Sequence, residues 1–151
     1  MAPTDAPTDT PRDGPRHGKE TTLLIVKPDG VRRHLIGEVL RRVEEAGLTI
    51  RDLRMETIPR ERAEEHYGEH RDKPFYQELV DFITGGPVVL AKVEGDDAIA
   101  LWRDLMGPTD PADAPAGTIR GDLATEITEN LVHGSDSPES AARELKLFFC
   151  D

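Results

Sequence analysis

The chain has one cysteine in 151 residues, Cys150, next to its end. That rules out a disulfide framework and fits a reducing, cytoplasmic compartment. Aromatics are scarce at 5%, so an aromatic at a junction between elements stands out. Cations are outnumbered, with 19 Lys and Arg against 30 Asp and Glu and a net charge of −11. This argues against nucleic acid as a partner, because such binding neutralises phosphates with Lys and Arg. It also sets a condition on any polyphosphate substrate: the few cations at its site must act against an unfavourable overall field. No apolar run approaches the ~20 residues of a membrane span, and the N-terminus has no apolar signal region, so neither membrane nor secretion is expected. No Gly-x4-Gly-Lys-Ser/Thr loop is present, which excludes a P-loop enzyme.

What remains is one domain's length, enough to bury roughly two-thirds of the unfolded surface. Residues 1–19, rich in Pro, Thr, Asp and Gly, read as a flexible tail ahead of a domain over 20–151. Thr22–Val26 reads as a buried strand ending at Lys27-Pro28-Asp29-Gly30, where Asp-Gly suggests a turn. Ile36, Val39, Leu40, Val43 and Ala46 recur at helical spacing, with Gly47 as the stop. A strand over Leu48–Ile58 slips phase near Arg51-Asp52, which predicts a bulge. Two short helical patterns flank Tyr67 and Phe75, a pair that could form a clamp. Val88–Val93 reads as a strand and 96–106 as a helix, with Ala98, Leu101, Trp102, Leu105 and Met106 inward and Arg103 off the stripe.

Residues 107–117, with three prolines, read as a long loop without regular structure, the mark of a functional or interface segment. Leu123–Thr128 is ambiguous. Leu131-Val132 reads as a short strand leading to His133, and Ser137-Pro138 as the cap and first residue of a last helix with Ala141, Leu145 and Phe148 inward. The order is strand, helix, strand, helix pair, strand, helix, strand, helix. Two strand-helix-strand halves point to an α/β (α+β) fold: a ferredoxin-like βαββαβ sandwich, its four-stranded antiparallel sheet covered by helices.

The chemistry centres on His133, at the end of an apolar run and followed by Gly, Ser and Asp, with Glu144 eleven residues on. An imidazole held by a strand, open on one side and oriented by a carboxylate on the other, suits a phosphate-accepting nucleophile. Taken singly, Lys27, Arg103 and Asn130 read more readily as structural residues.

Five ordered segments carry a resemblance: Val26-Lys-Pro-Asp-Gly30; His66-Tyr67 with Lys73-Pro-Phe75; Gly85-Gly-Pro-Val88; Gly117-Thr-Ile-Arg-Gly-Asp122; and Asn130-Leu-Val-His-Gly-Ser-Asp136. Together, from about Thr21 to Phe149, they resemble the nucleoside diphosphate kinase family. The resemblance implies ping-pong transfer of a γ-phosphate from a nucleoside triphosphate to a nucleoside diphosphate through a phosphohistidine on His133, oriented by Glu144, with Lys27 and Tyr67 beside it. It implies Lys27, Arg103, Thr109, Arg120 and Asn130 as phosphate and sugar ligands, and Phe75 as a stacking platform that reads a base's face and hence tolerates many bases. Mg²⁺ is implied through the nucleotide phosphates, with Asp136 reaching it through water. It further implies a homo-oligomer, a hexamer in preference to a tetramer, with loop 108–117 at subunit contacts. Three features depart from the family's pattern: Glu129 replaces a frequent Arg, Phe148-Phe149 stands for Trp-Phe, and the chain stops soon after the last helix. A catalytically silent member would be expected to lose one of His133, Glu144, Lys27 or Arg120, and all four are present.

Overall fold

The computed structural model describes residues 19–149. The tail expected over 1–19 lies outside them, except for Lys19, which opens the first strand. The elements are β1 (Lys19–Val26), α1 (Pro28–Arg32), α2 (Ile36–Glu45), β2 (Thr49–Glu56), α3 (Arg60–His66), α4 (Tyr76–Ile83), β3 (Val88–Asp96), α5 (Ala98–Met106), α6 (Ile119–Leu123), β4 (Val132–Gly134) and α7 (Pro138–Phe149). Short 3-10 turns cover Gly68–His70 and Pro111–Asp113. The strands form one sheet in the order β2-β3-β1-β4, every neighbouring pair antiparallel. This is the ferredoxin-like arrangement expected from the element order. Among the described residues no helix is long and apolar enough to cross a membrane.

The two central strands are covered on both faces. Leu24 and Val26 of β1 join Val89, Ala91 and Val93 of β3 in a core closed by α2, α5 and α6. Leu23 and Ile25 join Val88 and Leu90 in a second core closed by α3, α4 and α7. This explains the unbroken apolar runs: alternate side chains enter different cores, so no position faces water. Each such side chain contributes roughly 1.5–3 kcal/mol over its exposed state. Edge strand β2 instead alternates between exposed and half-buried positions, and leaves Leu53 and Met55 half or more exposed. Its pairing with β3 shifts between Ile50 and Asp52, where the phase slip predicts the bulge.

Several expectations need correction. The Lys27–Gly30 segment is not a simple turn: Pro28 stands at the first position of helix α1, where its missing N–H costs nothing. Residues 107–117 hold a 3-10 turn at Pro111–Asp113, and α6 precedes most of the ambiguous stretch. β3 runs on to Asp96, so α5 starts at Ala98, after Asp97. β4 lies one residue later than expected, with His133 at its centre rather than beyond its end. On α7 the fully buried positions are Ala141, Glu144 and Phe148, while Leu145 is half-buried.

Candidate active site

His133 pairs with Ile25 of β1, which fixes its backbone in the sheet. The single Trp in the chain reinforces this: Trp102 Nε1 donates to the His133 carbonyl at 3.1 Å. Gly134 permits that approach, since a Cβ there would lie 2.6 Å from the indole ring. The His133 side chain remains 19% exposed, at the wall of a cleft.

His133 Nε2 lies 2.9 Å from Glu144 Oε1, and the same oxygen accepts from Ser135 Oγ at 2.8 Å. Ser135 Oγ in turn accepts from the Leu23 backbone N–H at 3.3 Å, so the carboxylate is tied to β1. Burial pushes the Glu144 carboxyl up. The hydrogen bond and charge of His133, with smaller contributions from His66 and Ser135, outweigh this and hold it at about 2. An ionised carboxylate only accepts, so Nε2 carries the proton and Nδ1 has the free lone pair.

A second imidazole braces the first. His66, at the end of α3, meets the His133 ring edge-on with centroids 4.8 Å apart and packs likewise against Phe148 at 5.3 Å. Burial, then the neighbouring His133, pulls His66 down to about 3, so it stays neutral. A folded-state value below the ordinary 6.5 means that the unfolded chain binds the proton first. Stability is therefore complete above pH 6.5 and falls as pH drops toward 3, by up to about 1.4 kcal/mol per unit. Glu144 adds to the loss only below about 4.5. In thermal melts between pH 7 and 4.5, His66→Gln is expected to flatten this decline; an unchanged slope would contradict the assignment.

The other wall is cationic. Lys27 follows β1, and its Nζ donates to Asn130 Oδ1 at 3.0 Å. Burial, then Arg120, lowers its ammonium to about 8, against an opposing pull from Asp29. Asn130 Nδ2 donates to the Thr109 carbonyl at 2.9 Å, which draws the 107–118 loop onto the cleft. Arg103, from the exposed side of α5, reaches Asp136 across the mouth at 2.6 Å.

Arg120 has a structural role beyond the expected one. Read from sequence as a phosphate ligand, it is 6% exposed and donates to three backbone carbonyls: Asn130 at 3.2 Å, Gly107 at 2.8 Å and Val132 at 2.6 Å. It therefore stitches the loop to β4, while still lining the cleft. Burial, then Arg103, lowers its guanidinium to about 10.

The cleft of ≈ 220 Å³ brings together Lys27, Tyr67, Arg103, Thr109, Arg120, Asn130, His133, Asp136 and Glu144. It is smaller than the roughly 300 Å³ at which ligand sites begin, so a ligand of nucleotide size would extend beyond it. Phe75 is outside the lining, 42% exposed, and lies against His70 at 5.6 Å. Tyr67 packs instead on His66 at 4.6 Å, so the aromatic pair does not close as one clamp. Burial pushes the Tyr67 phenol above its ordinary range. Glu129, which stands where the family often has Arg, pairs with Arg32 at 3.3 Å.

Among the described residues, one group of three could hold a metal: His66, His133 and Glu144. Its two imidazoles do not suit Mg²⁺, which takes oxygen ligands. The exposed Asp136 carboxylate at the cleft mouth does suit an ion carried in on phosphates.

Sequence reasoning missed Ser135, Trp102, His66 and Asp29 as parts of the site. Ser135 and Asp29 lay inside quoted motifs, but nothing local shows that their partners are Glu144 and Leu131.

Known proteins are similar throughout this region. A family model described as Nucleoside diphosphate kinase matches residues 20–151. A nucleoside diphosphate kinase of Rubrobacter xylanophilus is 65% identical over 130 residues, 86% of this chain and 98% of that protein. One from Deinococcus radiodurans is 59% identical over 132 residues, 87% of this chain and 96% of the relative. The structure of a halophilic nucleoside diphosphate kinase from Halobacterium salinarum in complex with CDP superposes with a TM-score of 0.86 at 49% identity, covering 88% of this chain and 89% of the other.

Proposed function

The chain belongs to the nucleoside diphosphate kinase family and moves the γ-phosphate of a nucleoside triphosphate to a nucleoside diphosphate by a ping-pong route through a histidine; from that premise we propose that the histidine is His133 and that its Nδ1 is the nucleophile. The observation that carries this is the 2.9 Å contact between His133 Nε2 and the ionised Glu144. It occupies one nitrogen with a proton and leaves the other basic, at the wall of a cationic cleft.

In the first half-reaction, Nδ1 attacks the γ-phosphorus, the bond to the bridging oxygen breaks, and the nucleoside diphosphate departs. The second half-reaction runs the same step backward onto another diphosphate. The imidazole gains positive character as it bonds to phosphorus, and Glu144 steadies it through Nε2. Lys27 and Arg103 meet the oxygens of the transferring group, where charge is spread. Thr109 and Asn130 hold the phosphate and sugar, and Arg120 shapes the pocket besides lending its charge. Tyr67 keeps the nucleophile's surroundings tight through His66. Phe75 at the rim stacks on the base by its face, which gives broad base tolerance. Asp136 would hold Mg²⁺ through water when the ion is bound with the phosphates, and the ion would supply charge neutralisation there. This requires Asp136 to share or release Arg103 when nucleotide enters.

The partners are then nucleoside tri- and diphosphates and further copies of the chain, with a hexamer favoured over a tetramer. The exposed Leu53 and Met55 on β2 support an assembly. The single cysteine supports a cytoplasmic protein, and the net charge of −11 supports one that leaves nucleic acid alone.

Initial rates at several fixed diphosphate concentrations test the route: parallel double-reciprocal lines are expected, and intersecting lines would contradict it. Lys27→Ala is expected to lower kcat by about 10²–10³, with a smaller change in nucleotide KM, because its charge matters most in the transition state. In the parent enzyme, kcat/KM is expected to fall as pH rises through about 8, where Lys27 discharges. A rise in KM alone, or a flat alkaline profile, would remove Lys27 from this role.

A further inference from the structure

Asp29 is 1% exposed, lies outside the cleft lining, and has no role in the transfer above. Its Oδ2 accepts from the Leu131 N–H at 3.1 Å, across 102 residues of sequence. Leu131 has φ 77°, in the left-handed region that a branched side chain enters at a cost of about 1–2 kcal/mol. Val132 N donates back to the Asn130 carbonyl at 2.9 Å, so Leu131 is the middle of a three-residue turn of the rare, strained hand. Such a turn points the central N–H and C=O outward. Both are taken by one segment: the N–H by Asp29, and the C=O by the Lys27 backbone N–H at 2.8 Å. Gly30 allows the close approach, since a Cβ there would lie 3.3 Å from the Leu131 oxygen.

This turn joins the two halves of the site. On one side is Asn130, which binds Lys27 Nζ and the Thr109 carbonyl by its side chain and Arg120 by its backbone. On the other, two residues along β4 from Leu131, is His133. We propose that Asp29 is a positioning residue for the transfer: its hydrogen bond locks the strained Leu131 turn that sets Asn130 against His133. The proposal rests on His133 as the nucleophile. A strained residue persists only where its surroundings over-determine it, and the lock is what such a turn requires.

Two variants test the lock. Asp29→Asn keeps an oxygen to accept from Leu131; Asp29→Ala removes it. For Asp29→Ala, kcat is expected to fall by about 10²-fold, as a misplacement near 1 Å would give, with a smaller change in nucleotide KM. For Asp29→Asn, kcat should largely recover. A merely structural Asp29 would lower the folded fraction and leave kcat per folded molecule at the parental value. Asp29→Ala folded with parental kcat overturns the lock, as does Asp29→Asn as slow as Asp29→Ala. If Asp29→Ala fails to fold, the near-isosteric Asp29→Asn still decides through its rate. Phosphoryl label on His133 of the parent protein, measured in parallel, separates failure of this proposal from failure of the His133 assignment.

Discussion

Replacing His133 with alanine is expected to reduce transfer by about 10⁴-fold or more while leaving the fold and nucleotide binding in place. On the proposed reading, the site divides into groups that hold a phosphate chain and one that accepts it. Lys27, Arg103, Thr109, Arg120 and Asn130 surround the cleft independently of the imidazole. The fold is insulated too, because the tie from Trp102 goes to the His133 carbonyl, which alanine keeps. What disappears is the Nδ1 lone pair, without which no phosphorylated intermediate forms. Glu144 would stay hydrogen-bonded by Ser135, so the loss of its imidazole partner leaves it partly satisfied. Coupled assays and equilibrium nucleotide binding on the same preparation read both halves. A variant that still transfers at a substantial fraction of the parental rate would place the nucleophile elsewhere.

The second large effect is expected at Arg120. Three backbone carbonyls, from Gly107, Asn130 and Val132, depend on its guanidinium. A lysine carries the charge but cannot present a planar fork to three acceptors. Each carbonyl left buried without a donor costs roughly 1–3 kcal/mol, and partial repair by water reduces the sum. Arg120→Lys is therefore expected to destabilise the protein by roughly 2–4 kcal/mol and to slow transfer by about 10²-fold or more, because the loop bearing Thr109 comes away from β4. A residue that only bound phosphate would behave differently, with stability near parental and nucleotide KM raised. Denaturant midpoints beside kcat and KM distinguish the two. Parental stability in Arg120→Lys would contradict the stitching role.

These two residues also show what could be read from sequence. His133 was legible because its needs are local: an apolar run to hold it and Gly-Ser-Asp to keep one side open. The strands were legible because β1 and β3 send alternate side chains into two cores and so leave unbroken apolar runs. Gly47, at φ 92°, ends α2 where helical spacing stops, and the bulge at Arg51-Asp52 showed as a phase slip. Helices α1 and α6 were not read, because five residues carry too little periodicity and both are held from outside. Pro28 at the first position of α1, and the Thr118 hydroxyl accepting from Gly121 N at 2.9 Å in α6, were the only local marks. The backbone partners of Arg120, 10 to 13 residues away, and of Asp29, 102 residues away, were not legible, because the side chains at those positions say nothing of the contact. β4 slid by one residue because three strand residues between a strained turn and a serine give no alternation to fix the register.

The most direct measurement is the position of the phosphoryl group in the intermediate. Stoichiometric protein is incubated with γ-labelled ATP and Mg²⁺, isolated, and examined by phosphorus NMR and by peptide mapping. The expected product is one acid-labile, base-stable phosphoramidate per chain, on Nδ1 of His133, discharged by added nucleoside diphosphates of any base. Phosphate on Nε2, on a serine, or on no residue at all would contradict the proposed chemistry, since the Glu144 contact leaves Nδ1 as the free nitrogen.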